Sequence, residues 1–436
     1  MPRRFAALTS LAAALILSVL GIFLVYSATV RLFGFSMALR QTTWLAAGLL
    51  AGLAVSYSSR RQLYKNSLPL YIGGLVLLGL TFFIGVTVRG ERSWLELGLF
   101  RVQPSEIMKI FSIMMLATVG KKYSLQKLSR VKTVGISALI LGLPALLILV
   151  KGDAGTALVY YLFFLGWLFL FGFSREGSLL LLATVAGAVG LLGRVIYPAV
   201  FEIPVELLLV EVNLWSVLFW TAAAGALVYF LVNYWFKTRI PVWAFLVVML
   251  VCLVAGGGLY NYLRHHQHQR LEAFVDPATA PLESGYHVTQ ARIAVGSGGI
   301  FGQGYLQGTQ SQLGFIPELW TDFIYTVAIE ELGLVTGFVI LLLYGLLVYG
   351  TLSTAVLAEN WWDFYACAGV ALLWILHTAI NLGFSLELLP VMGLPLPYLS
   401  YGGSFMVTNW LALGLVIALS DRERGPAGLH TRINSL

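Results

Sequence analysis

Charged residues are scarce in this chain: Asp, Glu, Lys and Arg make up 11% of its 436 residues, whereas hydrophobic residues make up 59%. Soluble proteins carry about 25% charged residues. The composition therefore excludes a domain built around one core in water and predicts an all-α polytopic membrane protein. A membrane-spanning helix needs about 20 apolar residues, so the chain has room for about ten to twelve.

Cysteine is almost absent, and its two copies, Cys252 and Cys367, both lie in apolar stretches. This distribution excludes a disulfide framework and a thiolate metal site. The sequence also lacks a Walker motif, a Rossmann glycine fingerprint and a His-Glu-x-x-His metal motif, which excludes the soluble enzymes that depend on them. No internal repeat is evident, and this counts against a transporter built from repeated halves.

Apolar runs predict about twelve transmembrane helices in a single integral-membrane domain, residues 1–436. The predicted spans are Phe5–Ser27, Leu39–Ser56, Leu68–Thr87, Ile107–Val119, Thr133–Val150, Thr156–Phe173, Leu179–Tyr197, Leu214–Phe236, Val242–Leu263, Phe323–Leu347, Tyr365–Leu386 and Val407–Leu419.

Lys and Arg cluster in alternate loops, as in Arg60–Lys65 and Lys121–Lys132, and the loops between them are poorer in these residues. Because cytoplasmic loops are enriched in Lys and Arg, both termini are predicted to be cytoplasmic. The net charge of +7 then anchors the cytoplasmic side of the membrane. It does not indicate nucleic-acid binding, since no basic run with interleaved aromatics lies in a soluble part.

One long segment, residues 264–322, is too polar to span a membrane, and the alternation of loops places it outside. It contains Asp276 in a Val-Asp-Pro turn, an amphipathic piece around Arg292, Gly-rich turns from Gly296 to Gly304, and a polar patch that includes Ser311 and Gln312. It ends with Glu318 and Asp322 at the mouth of the next span. We expect the chemistry of the protein in this large extracytoplasmic loop.

Polar motifs also occur at the predicted outer ends of spans. Arg92 and Arg101 precede a helix start at Pro104, after which Glu106 and Lys109 are i, i+3 neighbours on one face. This pair is either an ion pair that lets two charges enter the membrane edge or part of a functional cavity, because ionisable groups at membrane depth usually face a cavity.

Two further polar motifs allow similar alternatives. Asp153 lies between glycines in a very short connection, which favours a broken helix lining a cavity and a plain tight turn equally. Near the C-terminus, two prolines, a glycine pair and the hydroxyls of Ser400 and Ser404 predict a rigid, non-helical wall rich in hydrogen-bond donors. Such a wall suits a polar cavity better than a passive loop.

Taken together, these motifs resemble the SEDS family of bacterial cell-wall proteins. The resemblance rests on Gly-x-Arg-Ser-Trp, Gln-Pro-Ser-Glu-x-x-Lys, Asp-x-Gly-Thr-Ala, Asp-Pro ahead of Gly-Tyr-His, the glycine run 294–304, Gly-Thr-Gln-Ser-Gln, Thr-Asp-Phe-Ile with Glu-Glu-Leu-Gly, and Leu-Pro-x-x-Ser-Tyr-Gly-Gly-Ser. Gly-Thr-Gln-Ser-Gln and Ile-Pro-Glu resemble the elongation-type branch, RodA, more than the division-type branch, FtsW.

The chain departs from the family pattern in two places. Lys151 and Gly152 stand where the family usually has Gln-Pro ahead of the aspartate. The family typically has about ten spans, so residues 174–240 are interpreted as an inserted pair of helices.

The resemblance implies a peptidoglycan glycosyltransferase that polymerises lipid II, a disaccharide peptide on undecaprenyl pyrophosphate, outside the cytoplasmic membrane during cell elongation. It also implies a class B penicillin-binding protein as partner. Asp276 is the candidate general base for the acceptor hydroxyl. A role as metal ligand also remains open, with Mg²⁺ or Mn²⁺ as the candidate ion. The implied substrate-binding residues are Arg92, Arg101, Glu106, Lys109, Asp153, Arg292, Ser311, Gln312, Glu318, Asp322, Ser400 and Ser404.

A lipid II flippase without polymerase activity is the alternative, because it would use the same polar cavity. A flippase needs charges at the middle of the membrane, whereas Asp276, Glu318 and Asp322 are all predicted at the outer surface. The position of the acids and the missing repeat therefore favour the enzyme.

Overall fold

The computed structural model describes residues 3–88, 91–98, 100–196, 284–314 and 319–420, with isolated positions at 268, 270, 271 and 274. The chain divides into two compact units, residues 1–164 with 290–436, and residues 165–289. The predicted insertion, 174–240, falls inside the second unit. The predicted spans Leu214–Phe236 and Val242–Leu263 lie outside the described residues, so the total of about twelve stays a prediction.

The predicted polytopic helical fold is confirmed. Six of the described helices are long and apolar enough to cross a membrane: Arg3–Phe33, Arg60–Ile84, Arg130–Val150, Ile324–Val356, Trp361–Ser385 and Gly403–Ser420. The helices are α1 (Arg3–Phe33), α2 (Ser36–Ser56), α3 (Arg60–Ile84), α4 (Pro104–Ser124), α5 (Arg130–Val150), α6 (Ala154–Leu170), α7 (Ser174–Ile196), α8 (Ser284–Gly298), α9 (Thr309–Leu313), α10 (Ile324–Val356), α11 (Trp361–Ser385) and α12 (Gly403–Ser420).

Several helices begin at a residue that satisfies their free N–H groups. Ser59 and Gln62 form a reciprocal capping box at the start of α3. Ser129 caps α5 and Asn360 caps α11 through side-chain oxygens. Pro104 occupies the first turn of α4, where a missing N–H costs nothing. These are the local signals that set the span boundaries.

Small residues bring the helices of the first unit close together. A side chain at Gly52 of α2 would meet the carbonyl of Trp410 in α12, and one at Gly414 would meet the backbone of Gly52. Such small-residue contacts let backbones approach closely in membranes, where burial from water supplies little drive for helix association.

A three-stranded antiparallel sheet, which the sequence did not predict, follows α3. Its strands are β1 (Val86–Val88), β2 (Glu91–Leu97) and β3 (Phe100–Val102), in the order β1-β2-β3. Val86 pairs with Trp94, and Glu96 pairs with Arg101. We call the end of the first unit that carries this sheet the sheet end, and the end that carries Arg3 the N-terminal end.

At the N-terminal end, one buried carboxylate joins three helices. The side chain of Asp363, fully buried at the start of α11, pairs with Arg3 at 3.1 Å and with Arg60 at 2.8 Å. Because Arg3 begins α1 and Arg60 begins α3, this clamp fixes those helices to α11.

Helix α10 is kinked at Gly333, whose φ of 83° and ψ of 173° are not helical. Residues 299–304, which follow α8, insert at the kink. Gln303 and Gly304 donate their N–H groups to the carbonyls of residues 330 and 331 at 2.9 Å, while the carbonyl of Gly299 accepts from Leu334 at 3.0 Å. The Gly-rich turn therefore replaces the hydrogen bonds that the helix loses, as membrane-embedded backbone requires.

Replacing Gly333 by alanine should destabilise the first unit. Its backbone lies in a region that only glycine adopts readily, which costs another residue about 1–3 kcal/mol, and a Cβ would also meet the carbonyl of Ile300. We expect a lower Tm in detergent. The matched control is Gly345→Ala in the same helix, where a Cβ would meet nothing within 4 Å and helix propensity favours alanine by up to about 1 kcal/mol. Equal Tm values for the two variants would contradict the role assigned to the kink.

Candidate functional site

A buried polar cluster lies near the start of α4. The Lys109 ammonium is 2.9 Å from Glu106 Oε1 and 3.0 Å from His377 Nε2 on α11. Glu106 and Lys109 are each 4% exposed, and His377 is 1% exposed. The sequence allowed either an ion pair at the membrane edge or part of a functional cavity. The structure shows the ion pair, and it lies inside the helix bundle. Glu106 Oε2 has no hydrogen-bond partner among the described residues.

Asp153, in the short connection between α5 and α6, reaches the same region through Gln103. Asp153 Oδ1 accepts from the N–H of Thr156 at 2.9 Å and so caps the start of α6. Its other oxygen is 3.4 Å from Gln103 Nε2. The connection between α5 and α6 is a tight turn, the plainer of the two predicted alternatives, but it delivers the carboxylate to the residue that precedes α4.

Ser404, from the Pro- and Gly-rich motif near the C-terminus, also contacts Gln103. Its hydroxyl accepts from the N–H of Gln103 at 3.1 Å and donates to the carbonyl of Arg101 at 3.3 Å. Three motifs that are distant in sequence, those of Glu106, Asp153 and Ser404, therefore meet at the junction of β3 and α4.

Two arginines of the sheet are exposed, Arg92 on β2 and Arg101 on β3. Arg92 donates from Nε to the carbonyl of Gly85 and from Nη2 to that of Phe83, both at 2.9 Å, so it caps the end of α3. Arg101 pairs with Glu96 at 3.2 Å, with both side chains about half exposed. Since exposed pairs are weak, the Arg101 guanidinium can exchange this partner for an anion at little cost.

Lys151, which together with Gly152 replaces the Gln-Pro that the family usually has ahead of the aspartate, is buried. Its ammonium donates to the carbonyl of Leu78 at 2.6 Å and to the Thr81 hydroxyl, and it lies 4.7 Å from the centre of the Phe82 ring. It therefore binds the last turns of α3, where a cation is favourable.

The wall formed by residues 394–404 is non-helical up to Gly403, where α12 begins, and hydrogen bonds hold it in place. Asn381 donates to the carbonyls of Asp322 and Leu394 at 2.8 and 2.7 Å. The Ser400 hydroxyl accepts from the N–H of Leu396 at 2.8 Å, so it serves the wall itself. Tyr398 is fully buried with a φ of 66°. Asn381 thus connects Asp322 to the wall.

Sequence reasoning missed two adjacent glutamates of α10, Glu330 and Glu331, both fully buried. Glu330 accepts from the N–H groups of Gln310 and Ser311 at 2.6 and 2.9 Å. Glu331 accepts from the hydroxyl of Ser27 on α1 at 2.6 Å. The signal was present, since acidic pairs in a membrane span are rare and costly.

Two predicted substrate-binding residues bind these glutamates. Ser311 Oγ and Gln312 Nε2 lie 3.1 and 3.0 Å from Glu331 Oε1. The N–H of Leu306 lies 3.2 Å from Glu331 Oε2. In the described residues every donor to the two carboxylates is neutral, and together they fix the segment 303–314 to α1 and α10.

Tyr305 belongs to the same segment. Its hydroxyl donates to the carbonyl of Phe23 at 2.9 Å. Burial, and then the nearby negative charge of Glu331, raise the pKa of Tyr305 to about 12. It is therefore a hydrogen-bond donor at every physiological pH.

Arg292 lies apart from the α4 junction. From the exposed side of α8 it binds Glu387, which follows α11, with Nε at 2.9 and 2.8 Å from the two carboxylate oxygens. The hydrogen bond to Glu387, and then its charge, raise the pKa of Arg292.

Asp276 and Glu318 lie outside the described residues. Within the described ranges, no three His, Cys, Asp or Glu side chains group into a metal site.

Comparison with known proteins assigns a family. The family model FTSW_RODA_SPOVE, cell cycle protein, matches residues 7–197 and 189–425. The chain is 31% identical to peptidoglycan glycosyltransferase RodA of Treponema pallidum, over 94% of this chain and 96% of that one. It is also 31% identical to peptidoglycan glycosyltransferase MrdB of Escherichia coli, over 88% and 86%.

Two solved structures share the fold. One is described as structural coordination of polymerization and crosslinking by a peptidoglycan synthase complex. It superposes with a TM-score of 0.64 and 24% identity, over 94% of this chain and 96% of that chain. The other is rod shape determining protein RodA of Thermus thermophilus, with a TM-score of 0.57, 22% identity and coverage of 94% and 95%. The family match over most of the chain agrees with the motifs that meet at α4, and the chain belongs to the FtsW/RodA/SpoVE family, the SEDS family.

Proposed function

We propose that this chain polymerises lipid II into glycan strands at the outer face of the bacterial cytoplasmic membrane during cell elongation. As a member of this family with curated relatives of that activity, it is a peptidoglycan glycosyltransferase. The observation that carries the proposal is that Asp153 and Ser404 both bind Gln103, which directly precedes the helix of the buried Glu106–Lys109 pair and follows the exposed Arg101 by two residues. The names RodA and MrdB of the 31% identical relatives support the elongation role.

Glycosyl transfer from a lipid-linked donor requires few catalytic side chains. The leaving group of a lipid-linked sugar donor is a pyrophosphate, a stable anion, so cations assist its departure and no general acid is essential. Arg92, Arg101, Lys109 and Arg292 are the cations that we assign to the pyrophosphate or to positioning. If an α-linked donor gives a β-linked product in one displacement, a single carboxylate suffices to take the proton of the acceptor hydroxyl. We assign that role to Asp276.

The remaining predicted residues divide by location. Ser404, Asp153 and Glu106 surround the start of α4, where they are placed to organise the substrate's polar head. Ser400 belongs to the wall, and Asn381 binds the carbonyl of Asp322 as well as that of Leu394 in the wall. Ser311 and Gln312 fix the segment that precedes Glu318. We propose that this second group shapes the binding surface, and that Glu318 and Asp322 border the acceptor sugar.

The distribution of charge supports an orientation with both termini in the cytoplasm. Four basic residues lie in the helix turns that form the N-terminal end: Arg3, Arg60, Lys121 and Lys122. Basic residues favour the cytoplasmic side. The sheet end, with Arg92 and Arg101, then faces outward, where the substrate is used.

The direct test is incubation of the purified chain with purified lipid II, followed by separation of the products by gel electrophoresis. We expect glycan strands longer than the starting disaccharide. A folded protein that forms no polymer, with or without partner, but moves fluorescent lipid II across vesicle membranes would overturn the proposal in favour of the flippase.

We further propose that a class B penicillin-binding protein is the partner. One of the two solved relatives belongs to a peptidoglycan synthase complex that coordinates polymerization and crosslinking, and this supports a crosslinking partner. A partner that binds one conformation of the sheet end better shifts the population toward it. Adding the partner should therefore raise the initial rate of glycan synthesis. The measurement is the rate against partner concentration, and a flat dependence despite verified binding would count against the proposal.

A further inference from the structure

His377 is a buried polar residue that the proposed mechanism does not use. It lies on α11, and its ring joins two elements: Nε2 is 3.0 Å from Lys109 Nζ on α4, and Nδ1 is 3.4 Å from the carbonyl of Pro395 in the wall. The ring also packs against Phe405 with centroids 5.2 Å apart. The imidazole thus lies between the lysine and the wall.

The contacts determine where the ring carries its proton. An ammonium has three N–H donors and no acceptor, so His377 Nε2 must accept from Lys109. The proton then resides on Nδ1, which faces the Pro395 carbonyl, itself only an acceptor. A second proton on the ring would place two cations 3.0 Å apart with Glu106 as the one carboxylate in contact. The neutral ring is the form that fits.

The lysine gains a fixed direction from this arrangement. Glu106 Oε1 and His377 Nε2 take two of its three N–H groups, and these are the hydrogen bonds that it makes within the described part of the chain. One N–H is left for a third partner. Lys109 also lines a small cavity with Tyr160 and apolar side chains of α4, α5, α6 and α11.

We propose that His377 is a positioning residue, which orients the Lys109 ammonium and links it to the wall of residues 394–404. This inference rests on the proposed function, because Lys109 is one of the cations assigned to the substrate. The Glu106 contact alone lets the long lysine side chain rotate about one partner. The second contact, on a rigid ring from another helix, fixes it relative to α11 and the wall.

A matched pair of amides separates the two contacts of the ring. In His377→Gln the amide reaches the position of Nε2 and can accept from Lys109. In His377→Asn the shorter amide reaches the position of Nδ1 and can donate to Pro395, but it leaves Lys109 without its second partner. Thr378→Val is the control, since Thr378 is adjacent and its hydroxyl has no hydrogen-bond partner among the described residues.

The experiment measures kcat/KM for lipid II with the partner protein present, together with Tm, for the wild type and the three variants. We expect His377→Gln and Thr378→Val to stay close to wild type and His377→Asn to lose about tenfold, the effect of about 1.4 kcal/mol in the transition state. Equal kcat/KM for the two amides, or rates that merely follow Tm across the four proteins, would overturn the inference. A wild type that does not polymerise lipid II would instead refute the proposed function.

Discussion

Replacing Asp276 by asparagine should lower the initial rate of glycan polymerisation by about 10²–10⁴-fold, the usual effect of removing a general base. The amide has nearly the same shape as the carboxylate but cannot take a proton from the acceptor hydroxyl. An aspartate before proline is restricted to extended or turn geometry, which asparagine also adopts. Folding and partner binding should therefore stay nearly unchanged. The measurement is the polymerisation rate on lipid II with partner present, with a melting curve and a pull-down.

Asp421→Asn is the matched control for Asp276→Asn, because this aspartate follows α12 on the far side of the predicted membrane from residue 276. Its rate should equal that of the wild type. Normal polymerisation by folded Asp276→Asn protein would refute both the base and a metal-ligand role for Asp276, and would leave Asp276 as a turn residue. It would also make the flippase the better explanation of the polar motifs.

Replacing Glu331 by glutamine should destabilise the first unit by about 2–4 kcal/mol, because hydrogen bonds to a charged acceptor each contribute about 1.5–3 kcal/mol. The carboxylate accepts from the side chains of Ser27, Ser311 and Gln312 and from the N–H of Leu306. Glutamine has one acceptor oxygen, and its NH₂ group would face donors. We expect a lower Tm in detergent and faster protease cleavage between residues 303 and 314.

Glu96→Gln is the control for this prediction, since Glu96 is about half exposed on the sheet and its pairing with Arg101 is weak. Its Tm should match the wild type. If Glu331→Gln were as stable and as protease-resistant as Glu96→Gln, the anchoring role assigned to the Glu331 carboxylate would be wrong.

The six described helices that can cross a membrane could be predicted from the sequence, because apolar runs of the right length have few alternatives in a chain this poor in charge. Boundaries were accurate where a local signal exists, as at Pro104 in α4. The sheet was missed because Val86 and Thr87 read as the end of an apolar run, so the third span was extended through them. In the structure α3 ends at Ile84 and the chain turns into β1.

The candidate site was predictable in its residue types but not in its contacts. Glu106 and Lys109 could be paired because i, i+3 neighbours share a helix face. His377 could not be added, since it follows Lys109 by 268 positions and only the packing of α4 against α11 brings them together. Likewise, the exposed arginines looked free in sequence, whereas Arg92 binds backbone carbonyls at the end of α3.

The Asp363 clamp at the N-terminal end has a consequence for biosynthesis. Arg3 and Asp363 are separated by 360 positions, yet they pair inside the folded protein. Since the chain is made from its N-terminus, Arg3 can form this pair only after α11 has been made. The contacts that join α1 and α3 to α11 through Asp363 therefore form only late in the synthesis of the chain. A fusion partner attached directly before Arg3 would interfere at that late step, whereas one attached after α12 would not.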